Sequence, residues 1–506
     1  MVSPTKPGPR VSGDFEALLS QAHSRSSSEV VGPGDEQCSV VDASELESVP
    51  GSEGAATEQG PGPAVQLLEQ AATAAEEGRN EDSEVWRQQR KHLFVLTHSG
   101  KPVYSLHGDE NALAGLMAVM DALISFMKDQ GDSLQSVRAG RHIIVFLERG
   151  PLYLVAAAAT GEPVSVLHLQ LHLLHSQILC ILTDGFQKVL TRNARFDTRR
   201  LLGGVDGILE ALHTSFEVDP SAFLVAFAPL RMPALLRRSL LLALQTAVRE
   251  GGALYGVLLA GSKVAALSQG ASRPLHPHDL LALGAFVRGS PSFQAAETFS
   301  PVCLPHFNPS AFLHAYVHYA HKDAKVCLLL LSTQPDSFMR LADAARRFRA
   351  EVNDSGALQA AARSGLQAGE GQVSISSLPA LAGGGEPGMT PLLHFLYKHP
   401  GRSQFVLATW DALAARGRLP QDVVPHYARI HAAVFRKDEE FREPQPSPLR
   451  VYYHSTDEYA AIAYASAEYE LYALFDPLAQ KLAIVQICQR LCAWVKGSQQ
   501  DLFVPM

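Results

Sequence analysis

Three histidines, His168, His172 and His175, come closest to metal chemistry, because spacings of four and three residues would align their imidazoles on one face of a helix. A zinc hydrolase needs more: no Glu occupies the position that an H-E-x-x-H general base would take. Three polar residues on the solvent side of a Leu-rich helix is the simpler reading. Cys488 and Cys492 lie one helical turn apart but lack a second ligand pair, so they read as core or surface thiols. Gly261-Ser262-Lys263 lacks the glycine spacing that cradles phosphates, and the chain contains no G-x-x-x-x-G-K-[ST] loop, no G-x-S-x-G elbow and no dinucleotide fingerprint. The sequence therefore points to no catalytic residue, no metal and no cofactor.

Composition narrows the class further. The chain has 506 residues, 46% of them apolar, enough for about three domains of ordinary size. Its formal charge of -8 is unevenly placed. Residues 1–85 hold 16 acids against 4 bases, leaving 35 acids and 39 bases for the rest, so an acidic tail precedes a mildly basic body. Six scattered cysteines do not form a disulfide framework. No signal-peptide apolar region and no apolar run approaching about 18 residues is visible, which predicts a soluble cytosolic protein. Net negative charge without interleaved aromatic and basic residues argues against nucleic acid. Basic clusters at Arg87, Arg90, Lys91 and Lys101, at Arg231, Arg237 and Arg238, and at Arg346, Arg347 and Arg349 read as solvated helix faces, or as weak contacts for anionic lipid headgroups.

The elements that must position any site are clearest in residues 91–130. Leu93 to Thr97 and Val103 to Ser105 read as strands around the turn Ser99-Gly100-Lys101-Pro102. Asp109 is the expected N-cap of a helix whose apolar face carries Leu113, Leu116, Met117, Met120, Leu123, Ile124 and Met127. Three strands follow, at about 136–140, 142–147 and 152–158, then a helix from Leu167 to Phe186 and a shorter one from Leu201 to Leu212. The order is ββαβββα. It recurs twice, from Leu254 to Phe348 and from Leu392 to Val495, and each copy opens with a hairpin whose turn carries a glycine and a basic residue.

The expected fold class is α+β, with three tandem units of antiparallel sheet and helices. A disordered acidic tail spans 1–85, where Ser26, Ser27 and Ser28 beside Glu29 are candidate phosphorylation sites in a regulatory segment. The first unit spans 86–218, a linking helix with the second unit 219–350, a Gly/Ser/Ala-rich linker 351–389, and the third unit 390–506.

This element order is similar to that of longin domains. The wording KHLFVLTHSGKPVYSLHGDE at Lys91 to Glu110, FSPVCLPHFNPSAFLHAYV at Phe299 to Val317 and LLHFLYK at Leu392 to Lys398 resembles the SAND family, the Mon subunits of Mon–Ccz complexes, over about Lys91 to Met506. Within that family the resemblance leans to the smaller, second vertebrate paralogue. It implies three longin domains, a Ccz-type longin partner, and guanine-nucleotide exchange on a late-endosomal Rab GTPase of the Rab-seven type. It also implies peripheral recruitment to endosomal membranes, through an early-endosomal Rab (Rab-five) and phosphatidylinositol 3-phosphate. One departure stands out: Leu106 occupies a position where the family carries a basic residue.

An exchange factor has no need of a nucleophile or a metal, since it acts by binding the nucleotide-free GTPase more tightly than the loaded one. The missing motifs suit that activity, and equally suit an adaptor that holds a Rab, a SNARE or a lipid without exchange. The resemblance implies that the first longin domains of the two partners form the GTPase platform. We place the contact on the hairpin and first helix, at Lys101, Tyr104, His107, Asp109, Glu110 and Asn111, with Met117 and Met120 as apolar neighbours or as core.

Overall fold

Glycine decides the first turn. The computed structural model describes residues 40–42, 88–98, 100–108, 113–183, 185–192, 204–270, 273–321, 325–366, 372–378, 391–435 and 450–505. After β1 (Val40–Asp42), strands β2 (Lys91–Thr97) and β3 (Pro102–Ser105) form an antiparallel hairpin. Gly100 turns it with φ +68°, and a Cβ there would sit 3.2 Å from the Asp121 carboxylate, so conformation and space both call for glycine. Helix α1 (Ala114–Asp129) begins after Leu113 without a side-chain cap; the expected N-cap, Asp109, lies outside the described residues.

Strands β4 (Ser136–Ala139), β5 (His142–Arg149) and β6 (Leu152–Ala158) complete the sheet in the order β4-β5-β6-β2-β3. Period-two alternation sorts its side chains. Phe94, Leu96, Phe146, Tyr153 and Val155 pack under Met117, Met120 and Ile124 of α1, while Leu93, Val95, Val145 and Leu154 face the opposite way. Residues 40–42, inside the tail expected to be disordered, pair parallel with β4 at the sheet's edge.

Helix α2 (Val164–Leu182) covers the second face of that sheet. By length and a mean hydropathy of 1.4 over its most apolar 18 residues it could cross a membrane, which the sequence reading overlooked because its histidines and glutamines interrupt the apolar run. The apolar character has another use here: 11 of its 19 residues are buried. Leu167, Leu171, Leu174 and Ile178 fill a core shared by the first and second units, and Val166 joins a core of the third. Helices α3 (Gly185–Arg192), α4 (Asp206–Val218) and α5 (Ser221–Leu224) follow.

The second unit comprises α6 (Ala234–Gly251), β7 (Tyr255–Ala260), β8 (Lys263–Ser268), α7 (Pro277–Arg288), β9 (Thr298–Cys303), β10 (Phe312–His321), β11 (Val326–Ser332), α8 (Phe338–Asp354) and α9 (Ala357–Leu366). The third comprises β12 (Leu392–His399), β13 (Gln404–Leu407), α10 (Asp411–Ala414), α11 (Pro420–Phe435), β14 (Val451–Ser455), β15 (Ala460–Ala465), β16 (Glu470–Phe475), α12 (Lys481–Gly497) and α13 (Gln499–Leu502). Their sheets run β8-β7-β11-β10-β9 and β13-β12-β16-β15-β14. Numbered within each unit, all three sheets share the strand order 2-1-5-4-3, so the repeat inferred from element order is a repeat of topology. Residues 357–366, assigned by composition to the linker, instead form α9: Ala357, Leu358, Ala361 and Ala362 are small enough to pack into the second unit's core.

The connecting segment that follows α5 treats the three hairpins differently. Leu230 N–H donates to Val264 O at 2.8 Å and Val264 N–H to Ala228 O at 2.9 Å, covering the edge of β8. Phe227 N–H donates to Ser403 O at 3.0 Å and Phe405 N–H to Phe227 O at 3.1 Å, covering the edge of β13. Strand β3, the corresponding edge of the first unit, pairs on one side with β2 and with no other described strand.

Candidate functional site

The hairpin, its turn and α1 make the candidate site; β3 pairs with no further described strand, yet Val103, Tyr104 and Ser105 are buried. Lys101 projects from the turn with its side chain exposed, while its backbone is held by Thr97, whose N–H donates to Lys101 O at 3.0 Å. Tyr104 is not at the surface. It is 4% exposed and packs in the core, because its position in β3 puts it on the inward face, so it shapes the edge from behind. His107 is half-buried between two other imidazoles, edge-on to His92 at 5.7 Å and to His213 of α4 at 6.0 Å. Asp109, Glu110 and Asn111 lie outside the described residues, as do Ser26, Ser27 and Ser28. Met117 and Met120 face the sheet.

Sequence reasoning passed over the far end of α1. Lys128 donates to Glu148 at 2.8 Å and to the Tyr153 hydroxyl at 2.8 Å, and His98 approaches Glu148 at 3.2 Å while stacking on Tyr153 at 4.3 Å. Burial works against the Lys128 charge, but the hydrogen bonds to Glu148 and Tyr153 outweigh it and hold its pKa above the usual value. Asp121, beneath Gly100, is pushed up by burial, with His98 and Lys128 opposing. Phe126 is 57% exposed on the outer face of the same helix. Its signal was legible as the one aromatic off the helix's apolar stripe.

The edge-on imidazole cluster gives the site a pH dependence. Burial, then Lys91 and His107, lower His213 to about 3; burial, then His107 and His142, lower His92 to about 4. Burial also lowers His107, against Glu210. These rings are neutral when folded and take protons more readily when unfolded. Their contribution to stability is complete above the unfolded value of about 6.5 and is lost as pH falls toward the folded values. The melting temperature should therefore drop as pH is lowered from about 7 to about 5; thermal melts across that range test this, and a flat profile would contradict it.

The other candidates have structural explanations. Of His168, His172 and His175, the first two are half-buried on the more exposed side of α2, His175 is buried, and the Arg149 guanidinium lies 3.1 Å from His172 Nε2, where a cation would have to displace it. Arg237 is also no lipid contact. It is 1% exposed and donates to Leu230 O at 2.7 Å and to Asp501 O at 2.8 Å. Arg90 pairs with Asp422 at 2.6 Å and Arg347 with Glu250 at 2.9 Å. Gly261-Ser262-Lys263 is the tight turn between β7 and β8, and Cys488 is buried in the third unit's core.

A second polar cluster went unread because its members come from two separated segments. His276 and His278 flank the start of α7, His306 follows β9, and the His276 and His306 rings stack at 4.0 Å. Asp279, 1% exposed, accepts from His306 Nδ1 at 3.0 Å. The motif His276-Pro277-His278-Asp279 is the signal that could have found it.

Three sheets of one strand order, each clasped by helices, define a protein of three tandem longin domains. Residues 91–212, 251–349 and 391–499 match the first, second and third longin domains of FUZ, MON1 and HPS1, respectively. The chain is 35% identical to the vacuolar fusion protein MON1 homolog of Arabidopsis thaliana, across 83% of this chain and 70% of that protein. It is 36% identical to MON1 homolog B of Homo sapiens (85% and 78%) and 32% identical to the human homolog A (85% and 63%). The chain belongs to the MON1 family of vacuolar fusion proteins. Because the plant relative falls between the two human paralogues, these identities do not assign it to either.

Proposed function

We propose that the chain is one subunit of a heterodimeric guanine-nucleotide exchange factor that activates a late-endosomal Rab GTPase of the Rab-seven type. Its partner is a Ccz-type longin subunit. In this reading it drives early-to-late endosome maturation and fusion with the lysosome, vacuole or autophagosome, recruited to endosomal membranes by an early-endosomal Rab and phosphatidylinositol 3-phosphate. The chain catalyses no bond-breaking step itself. It accelerates nucleotide release by favouring one state of the GTPase.

The observation that supports this reading is the asymmetry among the three hairpins. Two hairpin edges are consumed in joining the units, whereas β3 pairs with no further described strand, and Lys101 in its turn and Phe126 on α1 present exposed side chains. An exposed charge and an exposed aromatic supply the kind of side-chain contacts that dominate protein interfaces.

Release of a fluorescent guanine nucleotide from a panel of purified Rab GTPases tests the proposal, using the chain alone and co-expressed with a Ccz-type partner. Acceleration selective for the late-endosomal Rab, and dependent on the partner, is the expected result. No acceleration by an intact complex would overturn it in favour of a longin-type adaptor without exchange activity.

A further inference from the structure

Outside the hairpin site, the second unit gathers His276, His278 and His306 so that one ligand nitrogen from each lies within 4.8 Å of the others. His276 and His306 border a cleft of about 470 Å³, also lined by Arg273, Tyr255 and Asn308, and His278 is buried beside it. We propose that these three histidines form a binding site for a divalent transition metal of the zinc type, with Asp279 holding one ligand in place.

Hydrogen bonds set two of the rings for that role. His306 Nδ1 lies 3.0 Å from Asp279 Oδ1, and because an ionised carboxylate only accepts, Nδ1 carries the proton and Nε2 keeps its lone pair. Asp279 Oδ1 also accepts the His306 backbone N–H at 3.2 Å, fixing the ring's root. His278 Nε2 lies 3.0 Å from Ala222 O, which leaves Nδ1 as its lone-pair nitrogen. A carboxylate or carbonyl behind each imidazole is the arrangement that orients metal-bound histidines.

His276 has to adjust. Its Nδ1 accepts the His278 N–H at 3.2 Å as the N-cap of α7. Giving up one cap is a small cost for a helix beside the gain from three imidazole–metal bonds. The nitrogens must also close from as much as 4.8 Å to about 3.4 Å, the separation that bonds of about 2.0–2.1 Å impose in a tetrahedral site. That closure requires the His276 ring to turn out of its stack on His306, while His278 and His306 keep their hydrogen bonds.

A second observation points to a cation rather than an anion. Asp279 Oδ2 is buried in the cleft wall with no hydrogen-bond partner among the described residues, and an unpartnered carboxylate oxygen repels a phosphate and attracts a metal. Arg273, whose guanidinium lies over the Phe307 ring at 5.6 Å, keeps its charge in the cleft wall and offsets part of that attraction. Three protein ligands leave a fourth position for water or for a carboxylate from a partner. A bound ion would tie α7 to the segment after β9, and through His278 to α5, fastening the second unit to the connection from the first.

The test is zinc titration of the full chain after chelator treatment, followed by calorimetry, with cobalt substitution read by visible absorption. Wild-type protein should bind one zinc per chain, and the cobalt form should show the strong d–d bands of a four-coordinate site. His306→Asn, at the most exposed ligand, should weaken zinc at least tenfold, and Asp279→Asn about 10–100-fold. His168→Asn, on α2, should bind as wild type. Circular dichroism establishes that each variant is folded; should Asp279→Asn not fold, His306→Asn decides alone. No binding by the folded wild type, unchanged affinity in folded His306→Asn, or loss of binding in folded His168→Asn would each overturn the proposal.

Discussion

Lys91→Met should destabilise the chain by about 3–5 kcal/mol, the cost of removing one member of a buried ion pair. Lys91 and Glu162 meet at 2.5 Å with side chains each 2% exposed. Gln170 bridges them, accepting from Lys91 Nζ at 3.0 Å and donating to Glu162 Oε1 at 2.6 Å, while Thr160 Oγ1 donates to Glu162 Oε2 at 2.6 Å. Methionine matches the lysine stem, so packing survives and the loss is electrostatic: Glu162 is left charged in a low-dielectric site, or must take a proton. The double variant Lys91→Met/Glu162→Leu should lose less than the single, although Gln170 and Thr160 then lack an acceptor, and adding Gln170→Leu should recover most of the remainder. Denaturant unfolding of the three variants tests the order. A loss of under about 1 kcal/mol for Lys91→Met, within the range of an exposed pair, would contradict it.

Deleting residues 499–506 should unfold the second and third units together. Leu502, Phe503 and Val504 are each 1% exposed or less, although they follow the last long helix. Phe503 packs with Tyr397 in the third unit's core, and Val504 enters the core shared by the first two units. Gln404 binds Val504 at both ends of its amide, donating to Val504 O at 2.9 Å and accepting from Val504 N–H at 2.8 Å. Asp501 meanwhile accepts the Met232 N–H and the buried Arg237 guanidinium on its backbone O and the Ala234 N–H on its carboxylate. Each large buried side chain is worth about 2–5 kcal/mol, so their sum rivals the roughly 5–15 kcal/mol that holds an ordinary domain folded. Phe503→Ala alone should cost about 3–5 kcal/mol. Limited proteolysis and thermal melts of the truncated chain measure the effect, and a truncation that melts as the full chain does would contradict this account.

Those two networks show what the sequence could and could not express. Alternating and three-four patterns marked most strands and helices because one face of each is buried, and that sufficed for the longin topology. Helix α2 followed the same logic only in part: His168 and His172 lie on its more exposed side, but His175 is buried because the helix also packs against units far apart in sequence. Arg237 looked basic and accessible, yet the carbonyls that neutralise its exposure come from Leu230 and Asp501, and nothing local announces them. For the site, Lys101 was legible because a turn projects its side chain. Tyr104 was misplaced because a four-residue strand gives little alternation to choose a face, and Phe126 was missed because its exposure breaks the apolar stripe.

The central claim is that the hairpin and first helix of the first longin domain serve nucleotide exchange. The most direct measurement compares nucleotide release from the late-endosomal Rab by two co-expressed complexes, wild type and Lys101→Glu, whose partner content and melting temperature are matched. The account predicts acceleration by the wild type and about a tenfold loss in the variant, equivalent to about 1.4 kcal/mol. Equal acceleration by both complexes would remove the hairpin from the mechanism, and no acceleration by the intact wild type would contradict exchange itself.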